Sequence, residues 1–136
     1  MFQKLISITV LLMTLSCSGA EKITSDTYSP RIYFGKSGGF TNIPIEYVLI
    51  GKGNLFRVEK DSLVKIKKIT SAELKNLETR IENAGIRQSD LHETGNITYH
   101  ITIVEKGTEK TITWSDSTPD DKIEEFYKTL MAIVKE

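Results

Sequence analysis

Gly35-Lys36-Ser37-Gly38-Gly39-Phe40 brings together the glycine, lysine and hydroxyl residues that phosphate-binding loops use. A phosphate loop of that kind needs a further glycine five residues before Gly35, where Pro30 stands. It also needs a helix after the serine, whose free N–H groups meet the phosphates; Ser37 is followed instead by Gly38, Gly39 and a strand-like run. No nucleotide is therefore expected. Paired glycines reach positive φ without steric cost, so the stretch reads as a tight bend between strands. Phe40 is expected to turn into the core, and the loop to offer backbone groups to a partner. Ser37, Gly38, Gly39 and Phe40 are the candidate partner-binding residues.

Other catalytic chemistry is sparse. His92 and His100 are the only histidines, and no close ligand spacing links them. His100 alternates with Tyr99 and Ile101, so a solvated strand-face histidine is expected rather than a metal ligand. Asp116, Asp120, Asp121, Glu124 and Glu125 form an acidic cluster, but the glycine turn and ligand spacing of a calcium loop are missing, and helix capping accounts for most of it. A nucleophile elbow of the G-x-S-x-G form does not occur. We expect no enzyme activity, no metal and no cofactor.

The one cysteine, Cys17, excludes an internal disulfide framework. It closes the segment MFQKLISITVLLMTLSC, in which Lys4 precedes an apolar run from Leu5 to Leu15: the anatomy of a signal peptide. That run falls short of the about 20 apolar residues a spanning helix needs. Ser16 directly before Cys17 resembles a bacterial lipobox, with Thr14 where the lipobox favours leucine and Leu15 one place late. The resemblance implies that Cys17 is lipidated, carries acyl chains such as palmitate, and begins the mature chain. The rival is a plain secretory peptide cut near Ala20, which removes Cys17. Each buried methylene contributes about 0.8 kcal/mol, so two or three acyl chains would hold the protein at the membrane almost permanently.

Charge nominates no partner. Eighteen basic and eighteen acidic residues cancel in the 136-residue chain, and removing residues 1–16 takes away only Lys4, leaving 17 against 18. No field exists to attract nucleic acid. Residues 17–30, small and polar after the cysteine, read as a flexible tether, and residues 31–136 as a single globular domain large enough to bury a core unaided.

The elements that must position the loop follow from pattern. Ile43 to Ile50 is apolar at nearly every position and reads as a strand buried on much of both faces, with Pro44 at an edge or bulge. Gly51 to Asn54 is a hairpin turn, the run from Leu55 returns, and Leu63 to Ile69 offers a further strand whose Lys65, Lys67 and Lys68 suit a charged sheet edge. Thr70 and Glu73 have capping-box spacing before a stripe of Leu74, Leu77, Ile81 and Ala84 that Gly85 stops. Strands over Ile97 to Val104 and Thr108 to Trp114 follow, then a helix with Thr118 as N-cap, Pro119 in its first turn, and Ile123, Phe126, Tyr127, Leu130 and Val134 on its buried side. Strands, helix, strands, helix predicts an α+β fold: an antiparallel sheet of hairpins with two helices packed on it.

From Arg31 to Glu136, the stretch IYFGKSGGFTN, the GKGNLF hairpin, ITWSD and the closing EEFYKTLMAIV resemble small uncharacterised lipoproteins of Bacteroidota-type bacteria that carry F-G-x-G-G-G-F-T-G. Ser37 replaces the first of the three glycines and Asn42 the last. Ser37 to Phe40 and the general layout also resemble emfourin-type inhibitors of thermolysin-like metalloproteases. The first resemblance names a class, the lipid-anchored envelope lipoprotein, and no activity; together with the loop and the sparse catalytic chemistry, the expectation is an outer-membrane module that binds or assembles with a protein partner without catalysis. The second implies a loop that occupies a protease cleft.

Overall fold

A computed structural model describes residues 29–117 and 120–136. Cys17, the signal peptide and most of the tether lie outside the described residues, as do Thr118 and Pro119. The elements are β1 (Arg31–Gly38), β2 (Ile45–Ile50), β3 (Asn54–Glu59), β4 (Ser62–Lys68), α1 (Ser71–Ala84), β5 (Ile97–Glu105), β6 (Thr108–Ser115) and α2 (Asp121–Lys135), with a short 3-10 turn at Ile86–Gln88. The six strands form one sheet in the order β4-β3-β2-β1-β5-β6, antiparallel throughout. The α+β arrangement is the expected one. What joins its two halves is β1, which pairs with β2 on one side and β5 on the other.

Period two decides which side chains meet the helices. Ile32 and Phe34 of β1, Leu49 of β2, Leu55 of β3, Ile101 and Ile103 of β5, and Ile112 and Trp114 of β6 form one buried cluster with Leu77 and Ile81 of α1 and Ile123, Phe126 and Leu130 of α2. The opposite parity faces away from the helices. There Val48 and Phe56 are still buried, because they stand opposite one another on neighbouring strands, with Tyr33 opposite Val48 on the other side. Cross-strand neighbours at that spacing cover one another without a second layer. The strand expected from Ile43 starts at Ile45, just after Pro44; Ile43 is exposed, and burial on both faces is confined to Val48 and Leu49.

Local chemistry sets the ends. In α1 the Glu73 N–H donates to Thr70 Oγ1 at 3.2 Å while the Thr70 N–H donates to Glu73 Oε2 at 2.6 Å, and the left-handed Gly85 ends the helix at φ 66°. The backbone hydrogen bond from Thr70, then that from its hydroxyl, holds the Glu73 carboxyl below its usual range. Lys106 and Gly107, both at positive φ, close the β5–β6 hairpin as a two-residue turn of the primed type. The N-cap of α2 is Asp120 rather than Thr118: its Oδ1 accepts from the N–H groups of Lys122 and Ile123 at 3.2 and 3.1 Å. A carboxylate satisfies two orphan donors and also sits at the positive end of the helix dipole, so it takes the position from a hydroxyl two residues earlier.

The sheet's two edges differ. Strand β4 is the outer strand on one side, and Lys65 and Lys68 there are exposed, as a charged edge requires. On the other side β6 is partly covered: the Thr113 N–H donates to the Leu91 carbonyl at 3.0 Å, and the Glu93 N–H to the Thr113 carbonyl at 2.9 Å.

Candidate functional site

The loop between β1 and β2 is built from its backbone outward. Gly38 and Gly39 have φ of 88° and 77°, and Asn42 has φ 49°, so three of five successive residues occupy the left-handed region. At Gly38 an added Cβ would stand 2.2 Å from the Asn96 carbonyl oxygen, so both conformation and space demand glycine. The Gly39 N–H donates to that Asn96 carbonyl at 2.8 Å, tying the loop to the start of β5. The Asn42 N–H donates to the Gly39 carbonyl at 3.3 Å, which closes a four-residue turn with Phe40 at its second position.

Phe40 overturns the expectation that it enters the core: it is 108% exposed. The alternation of side chains that brings Phe34 inward stops at Gly38, and two left-handed residues redirect the chain, so the ring projects from the turn instead of following the strand. Ile43 (66%) and Ile45 (39%) continue the exposed apolar surface. Ser37 is exposed at the end of β1 opposite Thr98 of β5, and Gly38 stands opposite Ile97. The four candidate residues thus run from the end of β1 into one pinned turn. Lys36 and Ser37 belong to a paired strand rather than to a helix N-terminus.

Behind the loop the sheet holds a contact that sequence reasoning missed. His100 Nε2 lies 3.0 Å from Glu46 Oε1, although β5 and β2 are not neighbours; β1 runs between them. The position of β1 opposite both residues is Gly35. With no side chain there, the two long side chains meet over the strand. His100 is therefore a half-buried, partnered residue rather than a solvated one. A glycine opposite a carboxylate and an imidazole is the signal, readable only once strand register is known.

Arg87 is the second residue that pattern did not single out. Its Nη2 donates to Glu105 Oε1 at 2.6 Å and to Glu78 Oε2 at 3.1 Å, and its Nε to Glu105 Oε2 at 3.2 Å, so it joins α1 to β5. The hydrogen bonds it donates to Glu105 raise its pKa further above the ordinary guanidinium value, despite the opposing effect of burial. A concavity of about 710 Å³ opens beside this cluster. Four of its lining charges are engaged: Arg87 with Glu78 and Glu105, and Lys110 with Asp90 just outside the lining at 3.1 Å. Among the described residues no three of His, Cys, Asp and Glu stand close enough to hold a metal ion.

No family model matches the chain, and no curated protein matches it significantly. The loop must therefore be judged on its own geometry.

At the loop's end of the sheet three tyrosines gather. Tyr99 stands beside Lys36 of β1, and Tyr127 of α2 packs edge-on against Tyr99 and Trp114, at ring-centre distances of 5.3 and 5.5 Å. Burial first, and then the neighbouring Tyr99 and Tyr47, push the Tyr127 phenol up to about 12 from its ordinary 10. The unfolded chain then loses this proton before the folded one does. Stability that is complete below pH 10 is expected to fall as pH rises from 10 towards 12. Urea midpoints across that range should decline less steeply in Tyr127→Phe, which keeps the ring and removes the titrating hydroxyl; parallel declines would refute the assignment.

Proposed function

We propose that the protein is a lipid-anchored lipoprotein of the bacterial cell envelope, at the outer membrane, which binds or assembles with a protein partner through the β1–β2 loop and carries out no catalysis. The observation that carries the reading is Phe40, a large aromatic ring fully exposed on a turn held by glycine geometry and two backbone hydrogen bonds. An ordered loop has already lost the freedom that binding would otherwise remove, and an exposed aromatic is the kind of residue that anchors an interface. The anchor half of the reading rests on the signal-like start and Ser16-Cys17.

The geometry suits such a role. The chain leaves its tether at Arg31 and reaches Gly38 at the far end of the same strand, roughly 23 Å away at about 3.3 Å per residue. The start of the domain and the loop thus lie at opposite ends of β1. Crosslinking in intact cells, followed by pull-down from envelope fractions, should recover one partner with the wild-type chain and lose it with Phe40→Ala. In the same cells Cys17→Ala should release the protein from the membrane or stall its processing; unchanged membrane association would end the lipoprotein reading.

The same projecting ring favours a second reading, an inhibitor of a secreted or envelope thermolysin-like metalloprotease, because a pinned convex turn is a shape that enters a cleft. Mixing would then abolish protease activity slowly, and Phe40→Ala would prevent it. Full activity of several such proteases in excess protein would reject this reading.

A further inference from the structure

We infer that the recess between α2 and the end of β5–β6 is a pocket for a cationic side chain, an arginine of a protein partner. The recess measures about 280 Å³ and is lined by Tyr99, Trp114, Tyr127, Asp116, Glu124 and Lys128. At the small end of ligand pockets, ~300 Å³, it admits one long side chain and excludes a nucleotide.

Its walls are aromatic. Tyr99 stacks on Trp114 with ring centres 5.7 Å apart, and Tyr127 stands nearly perpendicular to Trp114, at 83°. Ring faces attract cations, and a planar guanidinium can stack on them as well, which an ammonium cannot. The carboxylates of Asp116 and Glu124 supply the complementary charge at the rim. Neither has an ion-pair partner within 4 Å among the described residues, Lys128 included. Two carboxylates against one ammonium leave the lining negative. The N-cap and first turn of α2, just before Glu124, add the carboxylates of Asp120 and Asp121. A site of this composition repels an anionic ligand, and a purely apolar ligand would leave the charges at its rim uncompensated.

The acidic cluster so acquires a purpose that helix capping alone gives only to Asp120. The pocket is independent of the loop reading, since it shares no residue with the loop. One partner can nevertheless reach both, because Tyr99 stands opposite Lys36, two residues before Gly38.

Trp114 is the only tryptophan of the chain and lies buried against Tyr99 and Tyr127 at the recess, so its emission reports a change in the packing of those two rings. The folded protein is titrated with acetyl-Gly-Arg-Gly-amide and with the same peptide carrying citrulline, a neutral isostere of arginine. A saturable change with the arginine peptide is expected, with the citrulline peptide about tenfold weaker or worse. Asp116→Asn with Glu124→Gln should abolish the preference, Lys128→Gln should tighten arginine binding, and Phe40→Ala should change nothing. Equal response to both peptides, or no saturable response, overturns the pocket. Loss of response in Phe40→Ala overturns its independence from the loop.

Discussion

Gly35→Ala is expected to cost about 3 kcal/mol or more of folding stability, a large fraction of what a domain of this size possesses. The reason is space rather than dihedral preference. A Cβ at Gly35 would stand 2.0 Å from the Ile45 carbonyl oxygen and 2.9 Å from the Glu46 Cα. Both obstacles are backbone, so no side chain can rotate away; β1 and β2 must separate or the strand must shift. The Glu46–His100 contact, which crosses above Gly35, would be pushed apart in the same event. Gly107→Ala is the control. Gly107 has φ 77° but nothing within 4 Å of its added Cβ, so it should lose only about 1 kcal/mol, the ordinary cost of a left-handed alanine. Urea unfolding of the two variants separates the causes. Equal losses would mean that β1 and β2 can relax around a methyl group, and that the close approach is not a constraint.

The second large effect is on binding and should leave stability untouched. If the proposed partner exists, Phe40→Ala is expected to weaken its capture about 30-fold, the size of a 2 kcal/mol anchor residue. The thermal midpoint should stay where it was, because a fully exposed ring has no folded-state contacts to lose. This combination distinguishes recognition from architecture. A variant that binds as well as wild type removes the loop from the interface, while one that melts early shows the ring to be a structural contact. Gly38→Ala should fail differently: with φ at 88° and the Asn96 carbonyl 2.2 Å from its new methyl group, it should lose both stability and binding.

The accuracy of pattern reading followed sequence distance. Thr70, Glu73 and Gly85 are resolved within α1 and its ends, and the stripes of Leu77 and Ile81 and of Ile123, Phe126 and Leu130 are set by helical period alone; each was legible in the sequence. The hairpins at Gly51–Gly53 and Lys106-Gly107 announce themselves through residues that tolerate positive φ. What was not legible requires knowing which strands adjoin. Glu46 and His100 are 54 residues apart, and nothing local marks them as partners until Gly35 is seen to lie between them. Arg87, between Glu78 and Glu105, is hidden in the same way. Phe40 was misjudged for another reason. Aromatic residues after a strand are ordinarily drawn inward, and only the actual dihedrals of Gly38 and Gly39 reveal that the chain has already turned away. The bend itself is legible from its glycines, whereas the direction of Phe40 is not.

The central place of β1 has a mechanical consequence. In a form anchored through Cys17, a pull on the domain enters at Arg31 and runs along a strand hydrogen-bonded on both sides, to β2 and to β5. A load that pulls β1 against the rest of the domain is shared by two ladders in shear, so many bonds must yield together, whereas an edge strand would peel away one bond at a time. Under the proposed function, a partner held at Phe40 would instead load the covalent backbone of β1 itself, and the sheet's middle strand would serve as the cable between the membrane and the grip.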